Sequence, residues 1–335
     1  MIARDRLAAV WREPEAEPRA VVERDRSRGA LEVVLAWLPV VALSELLLIR
    51  SFYRVGIHIP KDGPFRTVYA VLTEVGSFAL NLSSVLVVVA LALLAVRAWR
   101  SGNGSVAVAL GAMAAIATIL PLAGVRELGP VARLAFVLAV IAVVRPALAR
   151  AEGLHRVALI AAAATAIVSS YAGFSADAAM LAPSAARPAG AVAAQLVAEA
   201  LAVVSAFAFF GSAVRSGRVG VKSVALGAVP ALVLLGAWAA NGAITGILVI
   251  WTAGLRLYLP MWLYLLGLWA LGTAAAAWLP ERRWRTAGAV LLLVGGVSLG
   301  TTYQQALVVL GLLLLADGAA VGGLGRELAA HRPDR

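Results

Sequence analysis

The sequence predicts an all-α, polytopic membrane protein built as a bundle of about ten transmembrane helices. Hydrophobic residues make up 62% of the 335 residues and charged residues only 14%, whereas about a quarter of the residues in soluble domains are charged. Apolar runs of about 20 residues, the length that crosses a bilayer core of about 30 Å as a helix, recur along the chain. A transmembrane β-barrel would instead show shorter segments of alternating polarity.

The predicted spans share one pattern, an apolar run that ends at or near an arginine, a glycine or a proline. They cover 31–49, 70–96, 104–124, 130–149, 157–175, 190–213, 221–239, 259–279, 286–300 and 303–323. This division gives a cytoplasmic N-terminal tail at 1–29, a transmembrane bundle at 30–324 and a cytoplasmic C-terminal tail at 325–335.

The distribution of basic residues sets the predicted orientation. With ten spans and the N-terminus in the cytoplasm, 21 of the 29 basic residues fall in inner segments and eight lie on or near the outside. This bias follows the positive-inside rule. We therefore expect a multi-pass protein of the cell (plasma) membrane whose two termini are cytoplasmic and whose main partner is the lipid bilayer.

One apolar segment, 241–257, is not counted as a span. Its apolar run from Ala243 to Gly254 has 12 residues, about 18 Å as a helix, which is shorter than the hydrocarbon core. Counting it as an eleventh span would also move the cluster at Arg282, Arg283 and Arg285 to the outside. We expect a re-entrant or interfacial segment on the outer side.

The first 29 residues contain seven arginines, six acidic residues and no short apolar core, so we expect no cleavable signal peptide. Leu7, Val10 and Trp11 share one helix face, which is compatible with a short interfacial helix over 3–12. A solvated tail is the alternative. Either form could dock a cytoplasmic partner.

The residue inventory excludes several functions. The chain has no cysteine, so it forms no disulfide and no thiolate metal site. Its histidines, His58, His155 and His331, lie outside the predicted spans, which excludes a bis-histidine haem within the bilayer. No nucleotide-binding motif is present, and the net charge of +11 reflects topology. We expect no cofactor, no bound metal and no nucleic-acid partner.

Glu199 is the strongest candidate for a functional residue. It lies about nine residues into its predicted span, close to the midplane, and Gln195 is one helical turn away on the same face. An ionisable group at this depth is costly, so it must face the bundle interior. A role in handling protons or substrate and a role as a hydrogen-bonding contact between helices are both compatible with this position.

A polar stripe marks the second predicted span. Glu74, Ser77, Asn81 and Ser84 follow helical spacing and share one face. Tyr303 and other polar residues also fall in the outer half of the predicted bundle. Together they predict a polar cavity entered from the outer face, while polar packing between helices is the alternative.

Two further residues could contact substrate. Glu45 lies near the outer end of the first span, where it could take part in function or pair with Arg50. Arg256 follows the segment 241–254 and could bind an anionic group, although an arginine that extends its side chain to the interface is the more ordinary explanation.

These features favour a multi-pass transporter or permease for a small solute, with proton coupling through an intramembrane carboxylate. A haem-free membrane anchor subunit of a larger, quinone-linked complex is the first alternative. A lipid-linked transferase acting at the outer face is the second. An enzyme is the less favoured class, and the sequence does not identify the solute.

Overall fold

The computed structural model describes residues 17–50, 63–123, 129–181, 189–245, 251–252, 255–256, 259–279, 282–296 and 301–317. The segment 3–12 and the tail 325–335 lie outside these residues. The described chain forms ten α-helices: α1 (Glu17–Glu45), α2 (Pro64–Arg100), α3 (Gly104–Ala123), α4 (Gly129–Leu148), α5 (Gly153–Leu181), α6 (Ala189–Arg215), α7 (Val221–Thr245), α8 (Met261–Trp278), α9 (Arg283–Gly296) and α10 (Thr302–Leu315). A π-helical turn at Leu46–Arg50 extends α1.

Seven of the described helices are long and apolar enough to cross a membrane, namely α1, α2 and α4 to α8. The apolar stretches Gly104–Leu120 of α3 and Thr302–Leu315 of α10 are shorter, and α9 has 14 residues. The prediction of an all-helical chain with membrane-spanning helices is thus confirmed at this level. The count of ten spans and the side on which the termini lie remain predictions.

The outward faces of the long helices are apolar. Trp37, Phe78 and Leu232 each expose 60% or more of their surface, and similar valines and leucines follow along α2, α4 and α6. A water-soluble protein rarely exposes so large an apolar surface. These faces are suited to contact with lipid tails.

The last helix, α10, is at the centre of the bundle. Every residue from Gln304 to Ala316 is buried, because α10 packs against α9, α4, α2, α3 and α5. Its N-terminus is fixed by a capping box in which the Thr301 side chain accepts from the Gln304 backbone and the Gln304 side chain accepts from Thr301. A helix that is hydrophobic all round lies in a protein core or spans a membrane, and α10 is surrounded by other helices.

Glycines allow two helix pairs to approach closely. A Cβ added at Gly311 would lie 2.9 Å from the carbonyl oxygen of Gly288, across the α9–α10 contact. A Cβ at Gly227 would lie 2.3 Å from the backbone nitrogen of Thr273, across the α7–α8 contact. Close backbone approach at small residues is the common way in which helices pack within membranes.

The segment 241–257 contains the end of α7 and a short hairpin. α7 continues to Thr245, and Trp251–Thr252 (β1) pairs antiparallel with Leu255–Arg256 (β2). Pro260 directly precedes α8, a position where its missing N–H costs nothing. The placement of this segment relative to the membrane remains a prediction.

Candidate functional site

Glu199 lies on the inner face of α6 with only 8% of its surface exposed. Its Oε1 accepts a hydrogen bond from Nε2 of Gln195, one turn earlier, at 3.1 Å. Its Oε2 accepts from the backbone N–H of Leu259, just before α8, at 2.9 Å. Both carboxylate oxygens therefore have a donor, and the side chain connects α6 to the N-terminal end of α8.

A cavity lies between five helices near this carboxylate. Its volume is about 80 Å³, several times the volume that one water molecule needs. α5, α6, α8, α9 and α10 form its walls, with lining residues that include Thr165, Ala202, Ser205, Tyr264, Gly267 and Val308. Glu199 does not line the cavity itself, but Ala202, one helical turn further along α6, does.

The cavity has few free polar groups. Thr165 and Ser205 donate their hydroxyl protons to the carbonyls of Ala161 and Ala158, at 2.8 and 3.0 Å. The Tyr264 hydroxyl is buried, and among the residues that the structure describes it has no hydrogen-bond partner. A buried hydroxyl usually has a hydrogen-bond partner, and this one belongs to a residue that lines an otherwise apolar space.

Glu199 and Tyr264 act on the same region. Tyr264 lies within electrostatic reach of the Glu199 carboxylate, and it begins the cavity wall on α8, five residues after Leu259. Its ring packs against Trp238 of α7, with centroids 6.4 Å apart. The two polar groups thus lie near one another where α6 and α8 pack together.

The polar stripe of α2 does not join this site. Glu74 and Asn81 are exposed on the outward face of the helix, and Ser77 and Ser84 are half-buried. Ser84 donates to the carbonyl of Leu80 within its own helix, at 2.8 Å. The four side chains share a face, as their spacing indicates, but that face points away from the core.

A different serine of α2 makes the polar contact with the core. Ser83 is fully buried, and its hydroxyl lies 2.6 Å from the hydroxyl of Tyr303 at the start of α10. Gln304 and Gln305 are buried directly beside Tyr303. Polar residues at the start of α10 thus form buried contacts that are distinct from the cavity near Glu199, and the polar cavity entered from the outer face remains a prediction.

The depth of Glu45 in the membrane remains a prediction, but its side chain is fully buried at the end of α1. The reason is that α1 packs against α2 and α9 along its length. The side chain of Arg50, its predicted partner, lies outside the described residues. So does the side chain of Arg256, whose backbone pairs with Trp251 in the hairpin.

Sequence reasoning missed two parts of the site. Tyr264 is one of several aromatic residues around the start of α8 and carries no signal that separates it from Trp262. The backbone N–H of Leu259 has no sequence signature. Within the part of the chain that the structure describes, no group of three or more His, Asp or Glu side chains is placed to hold a metal ion.

Comparison with known protein families, curated proteins and solved structures gives no significant match. The class is therefore defined by the molecule itself. It is an all-helical protein with seven described helices able to span a membrane and a buried carboxylate beside a cavity within the bundle.

Proposed function

We propose that the protein is a multi-pass transporter for a small solute, with ten spans and cytoplasmic termini, in the cell membrane. The observation that carries this proposal is the position of Glu199, buried and hydrogen-bonded one helical turn from a residue that lines a cavity within the bundle. A carboxylate inside a membrane bundle is costly to maintain, and such groups mark substrate or proton pathways.

The chemistry of the cavity indicates the kind of solute. Aliphatic side chains and glycines form most of the walls. Among the described lining residues, the Tyr264 hydroxyl has no hydrogen-bond partner, and Glu199 lies one helical turn before Ala202. A small, mostly apolar solute with one polar group fits this arrangement. Its polar group would accept from the Tyr264 hydroxyl or, if cationic, approach the Glu199 carboxylate.

Glu199 also provides a means of opening the cavity. Its charged form strengthens the hydrogen bond from Leu259, since bonds to an ionised acceptor are roughly twice as strong as neutral ones. Neutralisation by a proton or by a cationic solute weakens that bond and frees the N-terminal end of α8 from α6. Proton or solute binding is thereby coupled to movement of a helix that forms the cavity wall.

The test begins with a screen of small amphipathic solutes for thermal stabilisation of the purified protein, followed by flux of the stabilising solutes into proteoliposomes. We expect Glu199→Gln to abolish pH-dependent flux and Ala202→Leu, which fills the cavity, to abolish solute binding. The matched control is Ala200→Leu, on the exposed face of the same helix. Equal loss in Ala200→Leu, or full flux in Glu199→Gln, would contradict the proposal.

A further inference from the structure

A second cavity lies at the end of the bundle where α6 and α8 end and where α5 and α9 begin. Its volume is about 430 Å³, larger than the volume of the cavity near Glu199. Four arginines line it: Arg215, Arg218, Arg282 and Arg285. The predicted orientation places this end in the cytoplasm.

Positive charge dominates this basic pocket. Glu152 is the acidic residue in its lining, and Asp317 binds Arg285 through both carboxylate oxygens, with Nε to Oδ1 at 2.8 Å. Four guanidinium groups thus face two carboxylates. Among the described residues, Arg215 has neither an ion pair nor a hydrogen bond to its guanidinium, so its donors are available to an anion.

The backbone contributes helix ends of both signs. α5 begins at Gly153 and α9 at Arg283, so the positive ends of two helix dipoles meet at the pocket. At the end of α6, the carbonyl of Ala213 accepts from the Ser216 hydroxyl at 2.7 Å. At the end of α8, the carbonyl of Trp278 accepts from the N–H of Arg282 at 2.8 Å. The C-terminal carbonyls that would repel an anion are therefore partly satisfied.

The floor of the basic pocket is rigid. Nε2 of His155 lies 2.9 Å from the carbonyl oxygen of Leu315 in α10. The His155 ring packs edge to face against Phe209 and Trp278, with centroids 5.6 and 6.3 Å apart. The pocket is thus a built feature of the bundle and does not depend on flexible surface side chains alone.

Apolar side chains that face outward border the arginines. Val157, Val214 and Leu279 are each close in sequence to lining residues and are 46% to 56% exposed. An acyl chain could lie along these side chains while its headgroup occupied the pocket. A free anion would gain nothing from this apolar rim, which favours a lipid as the occupant.

We propose that the basic pocket binds the phosphate of an anionic phospholipid headgroup from the inner leaflet. The guanidinium groups recognise the phosphate oxygens, for which their planar, multiple donors are suited. Basic pockets between transmembrane helices on the cytoplasmic side are typical of such lipid sites. This proposal is independent of the transport function, since the site shares no lining residue with the cavity beside Glu199.

The experiment measures lipid binding to the purified full chain by native mass spectrometry, with phosphatidylglycerol and a phosphatidylcholine of the same chain length. We expect phosphatidylglycerol to bind more tightly and Arg215→Gln to weaken its binding about tenfold, equivalent to about 1.4 kcal/mol. Arg215→Lys keeps the charge but loses the planar guanidinium group, so its affinity for phosphatidylglycerol should lie between the affinities of the wild type and Arg215→Gln. Arg100→Gln, an exposed arginine in the last turn of α2 outside the pocket, is the control.

Three results would overturn the proposal. The first is equal binding of the two lipids. The second is an equal loss in Arg100→Gln, which would mean that the arginines act only through the general charge of this face. The third is displacement of phosphatidylglycerol by millimolar inorganic phosphate at constant ionic strength, which would identify the occupant as free phosphate.

Discussion

Removing the Glu199 side chain should destabilise the fold, whereas neutralising it should not. Glu199→Ala leaves two donors without their acceptor, the Leu259 N–H and the Gln195 amide. A buried donor that loses its partner costs about 1 to 3 kcal/mol. Because both donors are half-buried, we take the lower end and expect a loss of about 2 kcal/mol.

Glu199→Gln has a different outcome because glutamine has nearly the same shape. Its amide oxygen accepts from Leu259, and its NH2 group faces Gln195, whose own amide can rotate to present its oxygen. Both hydrogen bonds are then kept by a neutral side chain, and we expect a cost below about 1 kcal/mol. The two variants thus separate the structural role of the side chain from the role of its charge.

The assay is thermal unfolding of purified protein in one detergent, followed by tryptophan fluorescence. Gln195→Ala removes one of the two donors to Glu199. The double variant Gln195→Ala/Glu199→Ala should lose little more stability than Glu199→Ala alone, since the two residues share a hydrogen bond. Equal destabilisation by Glu199→Gln and Glu199→Ala would refute the reasoning, because the charge itself would then hold the structure together. Unchanged stability in Glu199→Ala would refute it as well.

Two further predictions concern packing. Gly311→Val should destabilise the bundle by about 1 to 3 kcal/mol or prevent folding, because its side chain would overlap the backbone of α9. The control Gly236→Ala, whose added Cβ meets no atom within 4 Å, should unfold at the temperature of the wild type. Equal unfolding temperatures for both variants would contradict the close α9–α10 contact. Tyr303→Phe and Ser83→Ala should each cost about 1 kcal/mol through loss of one hydrogen bond, and the double variant should cost less than the sum of the two; strict additivity in a double-mutant cycle would show that the hydroxyls do not interact.

The sequence predicts the fold class and the helices well, and for a physical reason. Apolar runs that match the thickness of a bilayer must form helices, since no other local structure satisfies the backbone there. Each of the ten predicted runs overlaps one of the ten described helices, although only seven of these are long and apolar enough to span. The count of spans depends on how short helices such as α9 lie in the membrane, which length and composition alone do not determine.

The candidate site is only partly visible in the sequence. Glu199 and Gln195 stand out because polar residues one turn apart in an apolar run must share a face. The stripe at Glu74 and Asn81 follows the same rule but lies on the outward face. Periodicity shows which residues share a face, whereas the neighbouring helices decide whether that face is buried.

The parts of the two sites that the sequence does not predict depend on long-range contacts. The N–H of Leu259, the hydroxyl of Tyr264 and the arginines of the basic pocket come together only when helices distant in the chain pack side by side. The positive-inside rule predicts that basic residues gather on one side. It does not predict that four of them form a pocket.

The most direct test of the transport proposal is access to the cavity from both sides of the membrane. The chain has no cysteine, so single cysteines can be introduced without prior changes. Ser205→Cys places a thiol in the cavity. Val204→Cys, on the neighbouring residue that is 50% exposed on the outer face of α6, serves as the lipid-facing control.

Each variant is treated with a small, charged, membrane-impermeant methanethiosulfonate in right-side-out and in inverted vesicles. We predict that the thiol at position 205 reacts in both preparations and that the thiol at 204 reacts in neither, because a thiol in lipid is not ionised and meets no charged reagent. Glu199→Gln should change the ratio of the two rates at position 205. Reaction from one side only, or from neither, would contradict a transporter with alternating access.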